Sequence, residues 1–305
     1  MMSVVKKLLL FSSLLVCVTC QVKKDVFYKY YESALEVPDF VKIDNNLYIQ
    51  KYEVSFWDFL NFQEWIWLNY GENSKQAKLT ILDENCLFSW DECVNIAQEF
   101  NDIIDKKTPV VCVDPSQAKA YAKWYSDRVF ETMLTDRRII DPIKKNNSNR
   151  PFSIEAYFND SLHYVIGHKK LTHYPRFRLP TIDEWEKAYY YSRLVDGKYF
   201  DNCNTDECKY CKNLSNAIWA EIDQCSKKSK NASPLLPVKS GCHAESEKVI
   251  YHLKGNVREI SAHPGISLGG GWNDTKAAVL RTKVFNYDEP DINTGFRLVF
   301  EWVKW

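Results

Sequence analysis

The sequence has no excess of either charge, because 40 basic residues balance 40 acidic ones. A balanced charge gives no long-range attraction for nucleic acid, so nucleic-acid binding is not expected. The phosphate-binding motif GxxxxGK[ST] and the zinc-protease motif HExxH are also absent. Apolar residues are not scarce: they form 45% of the chain, which is enough for a substantial core.

No apolar run at the start of the chain is long enough to span a bilayer. Lys6 and Lys7 precede a short apolar run that ends near Cys20, without a small-x-small cleavage site. This pattern predicts that residues 1–20 are a lipoprotein signal peptide and that Cys20 is lipidated. An ordinary secretory signal is the alternative, and it also exports the protein. We therefore expect a membrane-anchored lipoprotein of the cell envelope, periplasmic or in the outer membrane.

Eight cysteines follow this segment, an even number that permits disulfides without requiring them. Four of them, Cys203, Cys208, Cys211 and Cys225, lie in one polar stretch with a single CxxC motif. A second CxxC would favour zinc, and it is absent, so disulfides are preferred in an exported protein. The spacing leaves the pairing open.

The chain after the signal divides into a polar linker, residues 21–45, and one domain, residues 46–305. Within the domain, residues near 131–175 and 193–235 lack sustained periodicity and are interpreted as insertions. Three helix starts carry a reciprocal capping pattern, namely Ser55 with Asp58, Asp114 with Gln117, and Thr181 with Glu184.

Glycine is concentrated near the end of the chain, where seven of the ten glycines lie between Gly241 and Gly295. This part is predicted to consist of turns and short strands. The run Gly269 to Gly271 would weaken a regular strand, so we expect it to turn sharply or to approach another segment closely.

Five segments resemble the formylglycine-generating enzymes, also called sulfatase-modifying factors. They are KYEVSFWDFLNF, PVVCVDPSQAKAYAKWYSDR, FRLPTIDEWEKAYY, HLKGNVREIS, and LGGGW with the closing GFRLVF. They occur in the family's order between about residues 48 and 300. The resemblance implies an α+β class: an irregular, C-type-lectin-like fold with a few short helices, short antiparallel strands and long loops.

The resemblance also implies two metal sites. In the working enzymes two cysteines after a GGSW-like segment bind copper(I), but the matching positions here are Asp274 and Val279. Neither supplies a thiolate, so copper and the family's oxidation of cysteine are not expected. A calcium site matches the backbones of Gly255 and Val257 and the side chain of Glu259. His252 replaces its asparagine, so calcium is an open alternative to a Glu259 carboxylate bound by backbone N–H groups.

The related iron-dependent sulfoxide synthases carry a histidine-rich domain, which this chain lacks because no histidine precedes His163. A metal cluster of Cys242, His243, His252 and His263 remains an alternative. The segment that lines the family's cleft contains polar residues that could recognise a ligand, although each alone is expected on a solvated surface. These residues are Asp274, Arg281, Asp288 and Asp291.

Together these features predict an exported, lipid-anchored, non-catalytic scaffold or binding protein of the bacterial cell envelope. Gliding-motility lipoproteins have a similar plan. The expected partners are the membrane, through the lipid, and other envelope proteins. The alternative is a metal-dependent oxidoreductase or protein-modifying enzyme with a non-standard metal site, and ligand recognition by a lectin-like surface ranks third.

Overall fold

The structure of the protein is a computed structural model. It describes residues 37, 39–88, 107–146, 150–166, 171–199, 250–272, 274 and 284–305. The predicted signal with Cys20, most of the linker, Cys203 to Cys242, His243, Val279 and Arg281 lie outside these residues. None of the described helices is both long and apolar enough to cross a membrane.

The described residues form short strands and a few helices, which confirms the predicted α+β class. The strands are β1 (Phe40–Asp44), β2 (Leu47–Gln50), β3 (His173–Arg178), β4 (Arg258–Ile260), β5 (Ile266–Leu268), β6 (Val284–Asn286), β7 (Thr294–Gly295) and β8 (Val299–Lys304). The helices are α1 (Phe56–Tyr70), α2 (Lys75–Lys78), α3 (Glu84–Phe88), α4 (Pro115–Asp136), α5 (Pro142–Asn146), α6 (Ile154–Phe158) and α7 (Ile182–Tyr199).

The first sheet has the strand order β1-β2-β8-β3, and all of its strand pairs are antiparallel. Phe300 of β8 lies opposite both Tyr48 and Phe177 in the register. Its ring centroid is 4.5 Å from that of Tyr48 and 4.9 Å from that of Phe177. Such cross-strand aromatic contacts add to the stability of a sheet.

The strand β1 lies within the predicted linker, residues 21–45, so that boundary needs correction. Val41 of β1 pairs with Ile49 of β2 and is buried. The polar and charged composition of residues 21–45 made this segment resemble a linker. The turn at Asn45 and Asn46 instead joins two antiparallel strands, and the sheet begins at Phe40.

The second sheet has the order β6-β5-β4-β7 and contains the glycine-rich end of the chain. The pair β4–β7 is parallel, and the other two pairs are antiparallel. These strands are only two or three residues long, in agreement with the expected turns and short strands.

All three predicted capping patterns are present. The hydroxyl of Ser55 accepts from the Asp58 N–H in a capping box. Asp114 Oδ1 accepts from the Gln117 N–H at 3.0 Å, and Gln117 Oε1 accepts from the Asp114 N–H at 2.8 Å. The same exchange joins Thr181 and Glu184, at 2.9 and 3.2 Å. Each exchange satisfies N–H groups that the first helical turn leaves without a backbone partner.

The chain divides into two compact units. The smaller contains most of the predicted insertion near 131–175, including α5 and α6, and Phe130 contacts Tyr157 there at a centroid distance of 5.4 Å. The larger unit, residues 39–126 and 173–304, contains both sheets and every residue of the site described next.

Candidate functional site

The candidate site is centred on β4, whose residues alternate in direction. Side chains along a strand point in turn to opposite faces. Glu259 is fully buried and faces the interior, whereas its neighbour Arg258 is half-buried. The two charged residues therefore have different partners.

Arg258 binds Asp274, the residue that the resemblance matches to a copper-binding cysteine. Its Nε donates to Oδ2 at 2.8 Å and its second amino group donates to Oδ1, so both carboxylate oxygens are engaged. Oδ2 also accepts from the Gly271 N–H at 2.7 Å. Burial lowers the pKa of Arg258, but hydrogen bonding and charge from Asp274 outweigh it and raise the pKa overall. Asp274 is thus part of a charged structural contact.

This arrangement does not fit copper(I). Copper(I) prefers soft sulfur ligands, and Asp274 offers hard oxygens that Arg258 already occupies. Val279, the second matching position, lies outside the described residues. Within the described part of the chain, no three His, Cys, Asp or Glu residues are placed to hold a metal ion.

Glu259 accepts hydrogen bonds from two buried side chains. Trp185 Nε1 donates to Oε2 at 2.8 Å, and Arg297 Nε donates to Oε1 at 2.7 Å. Burial raises the pKa of Glu259, and the charge of Arg297 opposes that rise. These donors are side chains, whereas the non-metal alternative foresaw backbone N–H groups.

The predicted calcium residues adjoin this pair. The loop before β4 takes left-handed conformations, with φ of 53° at His252, 80° at Gly255 and 59° at Asn256. Val257 is buried against Trp272. A calcium ion on Glu259 would lie beside the Arg297 guanidinium, so the contacts of Glu259 do not fit calcium. Calcium at Gly255, Val257 and Glu259 stays a prediction without a test.

A second buried carboxyl group, Glu53, lies near the same arginine. Its Oε1 accepts from Asn256 Nδ2 at 3.0 Å. Its Oε2 has no hydrogen-bond partner among the residues that the structure describes. Burial raises the pKa of Glu53 to about 7, although Arg297 acts in the opposite direction. Glu53 belongs to the KYEVS segment but was not singled out from the sequence.

The structure brings two of the four predicted cleft residues together. Asp291 contributes to the electrostatic environment of Arg258, the partner of Asp274. The Asp291 carbonyl accepts from the Cys112 N–H at 3.0 Å, and its side chain accepts from the Asn293 N–H at 2.7 Å. Asp288 is exposed in the turn after β6. Arg281 lies outside the described residues.

A disulfide joins Cys86 to Cys112 at the edge of this region. Cys112 is fully buried in a cluster with Val111, Val257 and Trp272. The even cysteine count allowed such a bond, but spacing could not identify the pair.

The glycine run behaves as predicted. A Cβ on Gly269 would lie 2.7 Å from the Leu253 carbonyl oxygen, and one on Gly271 would lie 2.0 Å from Asn293 Oδ1. Gly269 and Gly270 also have φ of 90° and 80°. The run therefore combines a turn with close approach to neighbouring segments.

One further pattern in the sequence, Gly265-Ile-Ser267-Leu-Gly269, matches the letters of the GxSxG motif of serine hydrolases. That motif requires the serine on an exposed turn between a strand and a helix. Ser267 instead lies in the middle of β5, fully buried, with β4 and β6 on either side. The serine is not placed as a nucleophile.

Comparison with known proteins gives one family. The family model described as "Sulfatase-modifying factor enzyme 1-like domain" matches residues 36–301. A solved structure titled "Crystal Structure of CarF" aligns with 84% of this chain and 86% of its own, at 15% identity and a TM-score of 0.39. No curated protein matches the chain significantly.

Proposed function

Because the chain belongs to the sulfatase-modifying factor family and the residue at its copper position is paired with an arginine, we propose a non-catalytic role. The protein is a scaffold or binding protein of the bacterial cell envelope, exported and held at a membrane by lipid on Cys20. The pair Arg258–Asp274 is the observation that carries this proposal.

The pair supports a structural role for Asp274, the position that the resemblance matches to a copper ligand. Asp274 is only 8% exposed and binds both Arg258 and the Gly271 N–H. Freeing the carboxylate for another ligand would leave a half-buried guanidinium without its partner, which costs free energy. A chain that uses this position for stability does not have it available for redox chemistry.

The exposed turn after β6 is the surface proposed for partner contact. Asp288 and Glu289 lie in the turn after β6 and are both exposed. Charged residues on such turns set the rate and specificity of protein association more than its affinity. An envelope protein with a basic surface would complement this turn.

The catalytic part of the proposal is tested on the purified full-length protein. Its copper content is measured, and it is incubated with oxygen and a cysteine-containing peptide while aldehyde formation is followed by mass spectrometry. We expect neither stoichiometric copper nor aldehyde. Copper together with conversion of the peptide would overturn the proposal. A different transition metal, lost on replacing Cys242, His243 or His252, would favour the alternative enzyme.

The binding part is tested by crosslinking in intact membranes, followed by purification of the crosslinked protein. We expect a reproducible set of envelope proteins, and Asp288→Lys should reduce their yield. Glu155→Lys, an equivalent reversal at an exposed site in the smaller unit, serves as the control. Equal yields from both variants would remove the turn after β6 from the proposal.

The anchor is tested by membrane fractionation. Cys20→Ala should release the protein from the membrane fraction. Cys17→Ala should not, although Cys17 lies only three residues away in the same segment. Retention of the Cys20→Ala protein on membranes would rule out lipid on this cysteine.

A further inference from the structure

Arg297 is the most completely coordinated charged side chain described near β4. Its side chain is fully buried, as is that of Glu259, with exposures of 0% and 1%. Its three nitrogen atoms make five contacts with oxygen. They reach Oε1 of Glu259 at 2.6 and 2.7 Å, and the carbonyl oxygens of Gln50, Lys51 and Tyr251 at 3.1, 3.2 and 2.7 Å.

These oxygens come from three separate parts of the chain. Gln50 ends β2 and Lys51 follows it, Tyr251 precedes the loop before β4, and Glu259 lies in β4 itself. One carboxylate and several backbone carbonyls are also the kind of ligand set that calcium takes in proteins. A guanidinium has five N–H donors and no acceptor, and four of these five contacts are hydrogen bonds, so most of its donor capacity is used.

The position of the Arg297 guanidinium argues against a second cation at Glu259. Both oxygens of that carboxylate accept hydrogen bonds, and the nearest positive charge is within 2.6 Å. A divalent ion beside a buried guanidinium would be repelled strongly, because low-dielectric surroundings screen charge poorly. His252, where the resembling enzymes have an asparagine, also provides nitrogen instead of oxygen.

From these contacts we infer that the carboxylate of Glu259 is committed to Arg297 and does not bind calcium. The guanidinium holds the end of β2, the segment at Tyr251 and β4 together, and the domain needs no calcium for folding. This inference is independent of the proposed scaffold role, because it concerns the cation that organises the domain.

Thermal unfolding of the full-length protein provides the first test. Melting temperatures are compared in a chelator and in calcium at roughly 5 mM, above the dissociation constants of weak extracellular calcium sites. We expect no difference between the two conditions. A rise in calcium that Glu259→Gln abolishes would overturn the inference.

A double-mutant cycle provides the second test. Arg297→Gln leaves Glu259 buried without its cation, so its melting temperature should fall clearly. Glu259→Gln should lower it as well, and the double variant should lose less than the sum of the two. Additive losses would show that the two groups do not act as a pair and would contradict the inference. If Arg297→Gln does not fold, the calcium comparison on the unmodified protein still decides.

Arg178→Gln is the matched control. Arg178 likewise pairs with glutamate, in its case with Glu184 and Glu301, but its side chain is 29% exposed. We expect a smaller fall in melting temperature than for Arg297→Gln, because solvent screens an exposed pair. An equal or larger fall would contradict the special importance assigned to the buried arginine.

Discussion

Arg258 Nε lies 2.8 Å from Asp274 Oδ2, and the same guanidinium contacts Oδ1. The Cζ atom of Arg258 also lies 4.5 Å from the ring centroid of Phe285 on β6. One arginine of β4 thus contacts both the turn that follows the glycine run and another strand of its own sheet. The position that the resemblance matches to a copper ligand is engaged here by two hydrogen bonds from one guanidinium.

This pair should show strong energetic coupling. Arg258→Met and Asp274→Asn should each lower the free energy of unfolding by about 1–3 kcal/mol, since each leaves a charged or polar partner unsatisfied. The double variant should lose clearly less than the sum. Urea denaturation measures all three values. Arg176→Met is the control: Arg176 is 50% exposed in its pair with Glu301, so its loss should cost at most about 1 kcal/mol. Additive losses at Arg258 and Asp274 would contradict the coupling.

The crowding at Gly271 predicts that replacing this glycine destabilises the protein more than backbone strain alone would. A Cβ there would lie 2.0 Å from Asn293 Oδ1 and 2.6 Å from the Asn293 carbonyl oxygen. The side chain of Asn293 could move, but its backbone could not without disturbing β7. Gly271→Ala should therefore cost about 3 kcal/mol of stability, at the upper end of overpacking effects.

Gly265→Ala is the matched control for Gly271→Ala. Gly265 has φ of +71° but open space where a Cβ would lie. Gly265→Ala should lower the free energy of unfolding by only about 1–2 kcal/mol, the strain of a left-handed backbone at a residue with a Cβ. If urea denaturation gives Gly265→Ala the larger loss, close approach is not the reason for glycine at 271.

Removal of the disulfide should also destabilise the protein. Cys86 and Cys112 are 26 residues apart, and a crosslink of this span restricts the unfolded chain by about 3 kcal/mol. Cys86→Ser and Cys112→Ser should each lower the unfolding free energy by about this amount. Because either change already breaks the bond, the double variant should lose little more. Peptide mapping without reductant should recover the linked pair, and a free thiol on either cysteine would disprove it.

The helices could be predicted because their signals are local. Ser55 with Asp58 and Thr181 with Glu184 are three residues apart, and the physics of a helix end connects only such neighbours. The strand pairs could not be predicted in the same way. Tyr48 and Phe300 pair across the first sheet from opposite ends of the domain, and no local pattern specifies that register.

The sequence singled out two residues of the site but not their contacts. The resemblance placed Asp274 and Glu259 at metal positions, and the structure places both around β4. Their partners, Arg258 and Arg297, were present in the quoted motifs without an assigned role. Arg258 and Glu259 are adjacent charged residues in a buried strand. This was a signal that each of the two side chains needed a partner of opposite charge. Arg297 is 38 residues from Glu259, and only the fold brings them together.

The buried Glu53 carboxyl predicts a pH-dependent stability. Burial raises its pKa from the ordinary value of 4.5 to about 7 in the folded protein. Between these values the folded state binds a proton that the unfolded state has released. The stabilisation from this proton is therefore fully present below about pH 4.5 and is lost as the pH rises through about 7. The difference is on the order of 3 kcal/mol.

Glu53→Gln tests this dependence, because glutamine keeps an oxygen for Asn256 Nδ2 and cannot ionise. Urea denaturation between about pH 5 and pH 8 should show a falling stability for the unmodified protein and a flatter profile for the variant. At pH 8 the variant should be the more stable of the two, since it carries no buried charge at this position. Glu289→Gln, at an exposed site, should retain the original profile. If Glu53→Gln and Glu289→Gln give the same slope, the proton uptake does not occur at Glu53.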